Sequence, residues 1–88
     1  MTHNLKTLPQ YFSRVWDGEK TFETRRNDRG FQKGDTVILN EYDPSISPLE
    51  VNRYTGREIE AVIGFVLTEH QKDGYVTFSL LHAGGYEN

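Results

Sequence analysis

Apolar positions follow a helical rhythm once in this chain and a strand rhythm several times. Leu8, Tyr11, Phe12, Val15 and Trp16 recur at 3–4 spacing, while Ser13, Arg14 and Asp17 fall outside that stripe. The pattern predicts a helix over 8–17, docked by its aromatic face. Thr7-Leu8-Pro9-Gln10 has the Thr-x-x-Gln form of a capping box, with proline in the first turn, where a missing N–H costs nothing. Gly18 is a natural stop, because it enters the left-handed region without penalty. Residues 3–7 read as a short strand ahead of the helix.

Thr21–Arg26 alternates as a strand does. Glu23 and Arg25 take one side; Phe22 and Thr24 take the other, and Phe22 is expected in the core. Asn27-Asp28-Arg29-Gly30 is a turn, and Phe31–Asp35 leads tightly into a strand over Thr36–Tyr42. Its apolar centre, Val37-Ile38-Leu39, predicts cover on both faces. Residues 43–56, with Pro44, Pro48 and Gly56, read as a long loop. From 57 to 69, Ile59, Ala61, Ile63, Phe65 and Leu67 share one face, with Glu58, Glu60, Val62, Val66 and Thr68 on the other. Gly64 interrupts them as a bulge would. Gln71–Gly74 is a turn, and Tyr75–Leu81 is a strand with Val76, Phe78 and Leu80 inward. Residues 82–88 are polar and glycine-containing and are expected to fray. The prediction is a single α+β domain over 1–88: a mixed β-barrel of about five strands with one N-terminal helix packed against it. Closure is the economical solution, because a small domain has little else with which to cover sheet edges.

Length agrees with a single core. The chain has 88 residues, 35% of them hydrophobic and 26% charged, and a domain of this size hides only about 65% of the surface its unfolded chain exposes. The longest apolar run, Val62–Leu67, is far short of the roughly 18 residues a membrane-spanning helix needs. Residues 1–6 lack the apolar centre of a secretory signal. There is no cysteine, so disulfides, thiolate metal sites and cysteine nucleophiles are excluded, and a reduced, cytoplasmic setting is expected. The formal charge of −3 is uneven: residues 1–33 carry +3 and residues 34–88 carry −6. A basic nucleic-acid protein would have a pI above about 9, so any nucleic-acid contact here must be a small local patch.

Familiar catalytic patterns are missing from the sequence. His3, His70 and His82 are far apart, with no His-x-x-x-His, and read as surface or structural residues. No glycine-rich phosphate loop and no G-x-S-x-G setting occur. Neither a metal nor a cofactor is expected. The remaining candidate is Gly18 to Arg29. Glu23 and Arg25, two apart on a strand, can form an ion pair or present an acceptor and a forked donor to one ligand. Lys20 sits at the helix-to-strand junction, where a long cation can reach a cleft. A solvated strand with paired charges has the same spacing.

Gly18, Lys20, Glu23 and Arg25 reproduce G-x-K-x-x-E-x-R, and the chain resembles the ASCH domains (activating-signal-cointegrator homology) of the PUA-like superfamily. It is more closely similar to a group of short bacterial and phage domains of unknown function within them. That likeness takes in His3-x-Leu5-Lys6, Pro9-x-Tyr11-Phe12, Gly18 through Arg29, Phe31-x-x-Gly34-Asp35, Glu41-Tyr42-Asp43, Tyr54–Ile59 and Gly74-Tyr75-Val76. The resemblance implies a small β-barrel with a flanking helix beside a cleft. It also implies RNA or modified-nucleoside binding, with Lys20, Glu23 and Arg25 as ligand contacts. Some ASCH relatives are amidohydrolases of acylated cytidine that use the motif lysine and a threonine three residues later. Here Glu23 holds that threonine's place, and Thr24 would face the other way.

Two functions are therefore expected as alternatives. In the first, RNA or a nucleotide enters a cleft between the barrel and the 43–56 loop. Arg25, Arg26 and Arg29 contact phosphate, Tyr42 or Tyr54 stacks a base, and Glu23 accepts hydrogen bonds from a base edge or ribose. In the second, Lys20 and Glu23 act as proton-transfer groups in hydrolysis of a modified nucleoside. A scaffold role would need a large exposed apolar patch, and the sequence marks none.

Overall fold

A computed structural model of the protein describes residues 1–47, 49 and 52–87. The elements follow in the order β1 (Thr2–Thr7), α1 (Pro9–Trp16), β2 (Phe22–Arg26), β3 (Thr36–Tyr42), β4 (Tyr54–Leu67) and β5 (Tyr75–Glu87). All five strands join one sheet, ordered β1-β3-β4-β5-β2. β1 runs parallel to β3, and the other neighbours are antiparallel. The sheet curls into a half-barrel. Leu5, Val37, Leu39, Ile59, Ile63 and Phe78 fill its interior, and α1 adds Phe12 and Val15 to that core.

The barrel does not close through backbone pairing. β1 and β2 are the two edges of the sheet, and side chains span the seam between them. Arg25 Nη1 donates to the Lys6 carbonyl at 3.0 Å, and Arg29 Nη1 donates to the Asn4 carbonyl at 2.7 Å. Two guanidinium groups thus stand where a hydrogen-bonded ladder would run in a closed barrel.

Helix α1 begins without a side-chain cap. The predicted capping box does not form, because Thr7 belongs to β1 and its hydroxyl accepts from Arg25 Nη2 at 3.1 Å. Of the aromatic stripe only Phe12 and Val15 are buried; Tyr11 is 49% exposed. Gly18 ends the helical segment at φ +81° as expected.

Side-chain alternation departs from expectation at two places. In β2, Phe22 is 47% exposed and Glu23 is 3% exposed, so the carboxylate and not the ring points inward. In β4, the register shifts between Ile63 and Val66. Gly64 lies in this bulge, where a Cβ would come within 2.5 Å of Ser79 Oγ. The extra residue inverts the faces, as a bulge must. Phe65 turns outward at 68% exposure, whereas Val66 packs on the core.

The segment expected to fray continues β5, with Arg57↔Glu87, Glu58↔Tyr86 and Ile59↔Gly85 paired. Gly85 lies against Trp16, where a Cβ would stand 2.5 Å from the indole. The glycine lets the helix sit close on this strand. β4 begins at Tyr54, three residues before the expected start. Within the predicted loop, Pro48, Glu50 and Val51 lie outside the described residues. The Asp43 N–H donates to the Arg53 carbonyl at 2.8 Å, which ties the two ends of the connection together.

Candidate functional site

A cleft of about 490 Å³ opens where the end of β1 and the start of α1 face β2. Its position follows from the local chain path. The Gly18 turn reverses the backbone, and the Lys20 N–H donates to the Arg14 carbonyl at 2.9 Å, which fixes the start of the next segment against the helix end. From there β2 alternates Glu23 and Arg25 toward β1. One wall comprises Lys6, Thr7, Leu8 and Tyr11; the other comprises Lys20, Phe22, Glu23, Thr24 and Arg25.

Glu23 is the hub. Its Oε1 accepts from Lys20 Nζ at 2.7 Å and its Oε2 from Arg25 Nε at 2.9 Å. A buried carboxylate is tolerable only with such partners. The three charged motif side chains therefore converge on one hollow. Lys20 Nζ also lies 5.1 Å from the Phe22 ring centroid and 5.8 Å from that of Tyr11, within cation–π range. Three cations (Lys6, Lys20 and Arg25) against one carboxylate leave the lining with excess positive charge. Exposed faces of Tyr11 and Phe22 give it apolar surface beside that charge.

Other sequence candidates lie elsewhere. Arg26 sits on the outer side of β2, 5.9 Å from the Tyr75 ring. Arg29 is committed to the seam with β1. Tyr42 and Tyr54 meet edge to face at 5.0 Å, with Lys6 Nζ 4.5 Å over Tyr42. Tyr54 lines a second cavity of about 290 Å³ with Asn4, Lys6, Asn40, Glu41 and Arg57 among its neighbours. Thr24 does line the cleft, but its hydroxyl is bonded to that of Thr77 at 2.7 Å. The threonine hydroxyl within reach of the motif arginine is that of Thr7, on β1.

Sequence reading missed Lys6, Thr7, Tyr11 and Phe22 as cleft residues. It also missed Glu41. That carboxylate is 5% exposed; its Oε1 and Oε2 accept from Arg57 Nε and Nη2, each at 3.0 Å, and Oε1 also accepts from Thr55 at 2.7 Å. Burial pushes the Glu41 carboxyl up, but the Arg57 and Thr55 hydrogen bonds outweigh it and hold it below the ordinary value. Glu41 and Arg57 each fall in a segment of the family likeness, yet no short motif joins residues 16 apart. His3 is buried, with Nε2 2.8 Å from Asp35 Oδ2. That contact chiefly holds the Asp35 carboxyl below its usual range. Among the described residues, no cluster of His, Asp and Glu is placed to hold a metal ion, and no helix is long and apolar enough to cross a membrane.

Comparison with known proteins agrees with a small phage-related domain. An uncharacterized 12.9 kDa protein in the GpA 3′ region of Escherichia phage P2 is 38% identical over 61 residues. The match takes in 69% of this chain and 50% of that protein, so the chain spans about half the length of the relative. Residues 2–80 match the model of a domain of unknown function, DUF3850, and the chain belongs to that family.

Proposed function

We propose that this chain is an ASCH-type module of the PUA-like superfamily that binds RNA or a nucleotide in the cleft between α1 and β2. The convergence of Lys20, Glu23 and Arg25 on that cleft carries the reading. Phosphate meets Lys20 and the free N–H groups of Arg25. A base lies against Tyr11 or Phe22, a contact worth roughly 1–3 kcal/mol. Arg26 and Arg29 are off the cleft walls, so they would meet only a strand that runs beyond it. The cleft volume lies in the range of small-ligand sites, and few cations favour stacking recognition over duplex binding.

Calorimetric titration with nucleosides, 5′-nucleotides and short single-stranded RNA tests this. Saturable binding is expected, weakened roughly 10-fold or more for nucleotides by Lys20→Gln, through loss of a charge-assisted contact. Three cations at most limit the slope of log K against log salt to about −2 for a single strand. Lack of saturable binding by all three ligand classes at millimolar concentration overturns the proposal.

A second reading, hydrolysis of an acylated nucleoside, draws on the 2.7 Å Lys20–Glu23 contact. Proton transfer through that pair would require Glu23 to release one of its two cations. Turnover of acylated cytidine that Lys20→Ala abolishes would select it.

A further inference from the structure

We infer that the second cavity is a neighbouring-base subsite, so that the ligand is a single strand of at least two nucleotides rather than a free mononucleotide. This inference rests on the proposed cleft reading and extends it. Lys6 lines both cavities, which makes them adjacent compartments on either side of one cation. The two differ in charge. The first has three cations against Glu23. In the second, Lys6 and Arg57 are matched by Glu41 and Glu58. Excess positive charge suits phosphate; a balanced polar pocket suits a base.

The second cavity has the parts a base requires. Tyr54 is 47% exposed, and its edge-to-face contact with Tyr42 orients the ring, so a base can stack without first ordering it. Asn40 Nδ2 donates to the Ile38 carbonyl at 3.2 Å and lies 3.4 Å from Asn4 Oδ1. Asn4 and Asn40 both line this cavity, and a carboxamide presents both donor and acceptor to a base edge. Glu41 and Arg57 already satisfy each other, so the pocket floor carries no uncompensated charge. A phosphodiester linking the two bases would lie at Lys6.

The test compares uridine and adenosine 5′-monophosphates with the dinucleotides UpU and ApA, 5′-phosphorylated, and with their deoxy counterparts, by titration calorimetry. A dinucleotide should bind about 10-fold tighter than its mononucleotide, the gain of one base–aromatic stack. Tyr54→Ala should remove most of that gain, leaving only what the Lys6–phosphodiester contact supplies, and Tyr54→Phe, which keeps the ring, should retain it. Equal gains in the ribo and deoxy series also support the subsite, since neither the stack nor Lys6 reads a 2′-hydroxyl. Mononucleotide binding with no dinucleotide gain overturns this inference and leaves the cleft reading standing. A gain left undiminished by Tyr54→Ala in a folded variant overturns it as well. Failure of every ligand to bind overturns both.

Discussion

Replacing Glu23 by glutamine removes the charge that gathers the cleft. Glu23 is 3% exposed and its two oxygens face Lys20 and Arg25. The variant leaves two cations, 17% and 25% exposed at their side chains, beside each other without a counter-ion. Breaking a buried ion pair from one side costs about 3–5 kcal/mol. Both cations keep an edge on water and the amide keeps one acceptor oxygen, so about half of that, ~2 kcal/mol, is the expected loss. For a chain of this size that lowers the melting temperature by about 8–16 °C. Thermal unfolding followed by circular dichroism reads it directly. The control is Asp28→Asn, which removes a 3.9 Å pair whose side chains are 47% and 64% exposed; it should shift the midpoint by no more than about 2 °C. A Glu23→Gln midpoint that matches the control would refute the argument, because the cations would then be at ease without their carboxylate.

Two glycines separate conformational strain from steric clash. Gly18→Val meets open space at φ +81°, so the cost is backbone strain alone, about 1–2 kcal/mol; an unchanged melting curve would rule that out. Gly64→Ala instead drives a methyl to within 2.5 Å of Ser79 Oγ and 3.0 Å of Leu81. It should cost about 1–3 kcal/mol and weaken the bulge bond from the Phe65 N–H to Ser79, seen as faster amide exchange at Phe65. Acid unfolding should follow Glu41 and Asp35. Both carboxyls lie lower in the folded chain than the ordinary values of 4.5 and 3.8, so the unfolded chain takes up protons first. Their contribution is complete above those values and disappears as pH falls through the lower folded ones. Arg57→Gln should flatten that acid limb in urea titrations at stepped pH; an unaltered limb would exclude Glu41 as a source.

Much of this molecule is written locally. Gly18 ends the helix, Val37 and Leu39 mark the inner face of β3, and Gly64 marks the bulge, because each depends on a few neighbouring residues. Ile38, expected to be covered on the other face, is only half-buried, because no second layer of the described residues packs there. Lys20, Glu23 and Arg25 stand out only through the G-x-K-x-x-E-x-R likeness, since their spacing alone also fits a solvated strand. What the sequence conceals is non-local. Phe22 reads as core until β1 is seen to leave a cleft beside it, and Thr7 reads as a helix cap until Arg25 claims its hydroxyl. Phe65 reads as inward because alternation gives no count of the extra bulge residue. Gly84-Gly85 reads as a loose tail, although Gly85 is small because Trp16 lies on it. Tyr11 and Lys6 join the site from other elements, at spacings no short pattern encodes.

The guanidinium seam has a consequence for how copies of this chain behave toward one another. A strand at the rim of a sheet offers unpaired carbonyls to any extended peptide nearby. Here the rim carbonyls of Asn4 and Lys6 are already taken, each by an arginine from the same molecule. A strand approaching β1 along this stretch would have to displace both cations to reach the Asn4 and Lys6 carbonyls. That part of the β1 rim is thereby masked by the chain's own side chains, and by the residue type that also suits a phosphate.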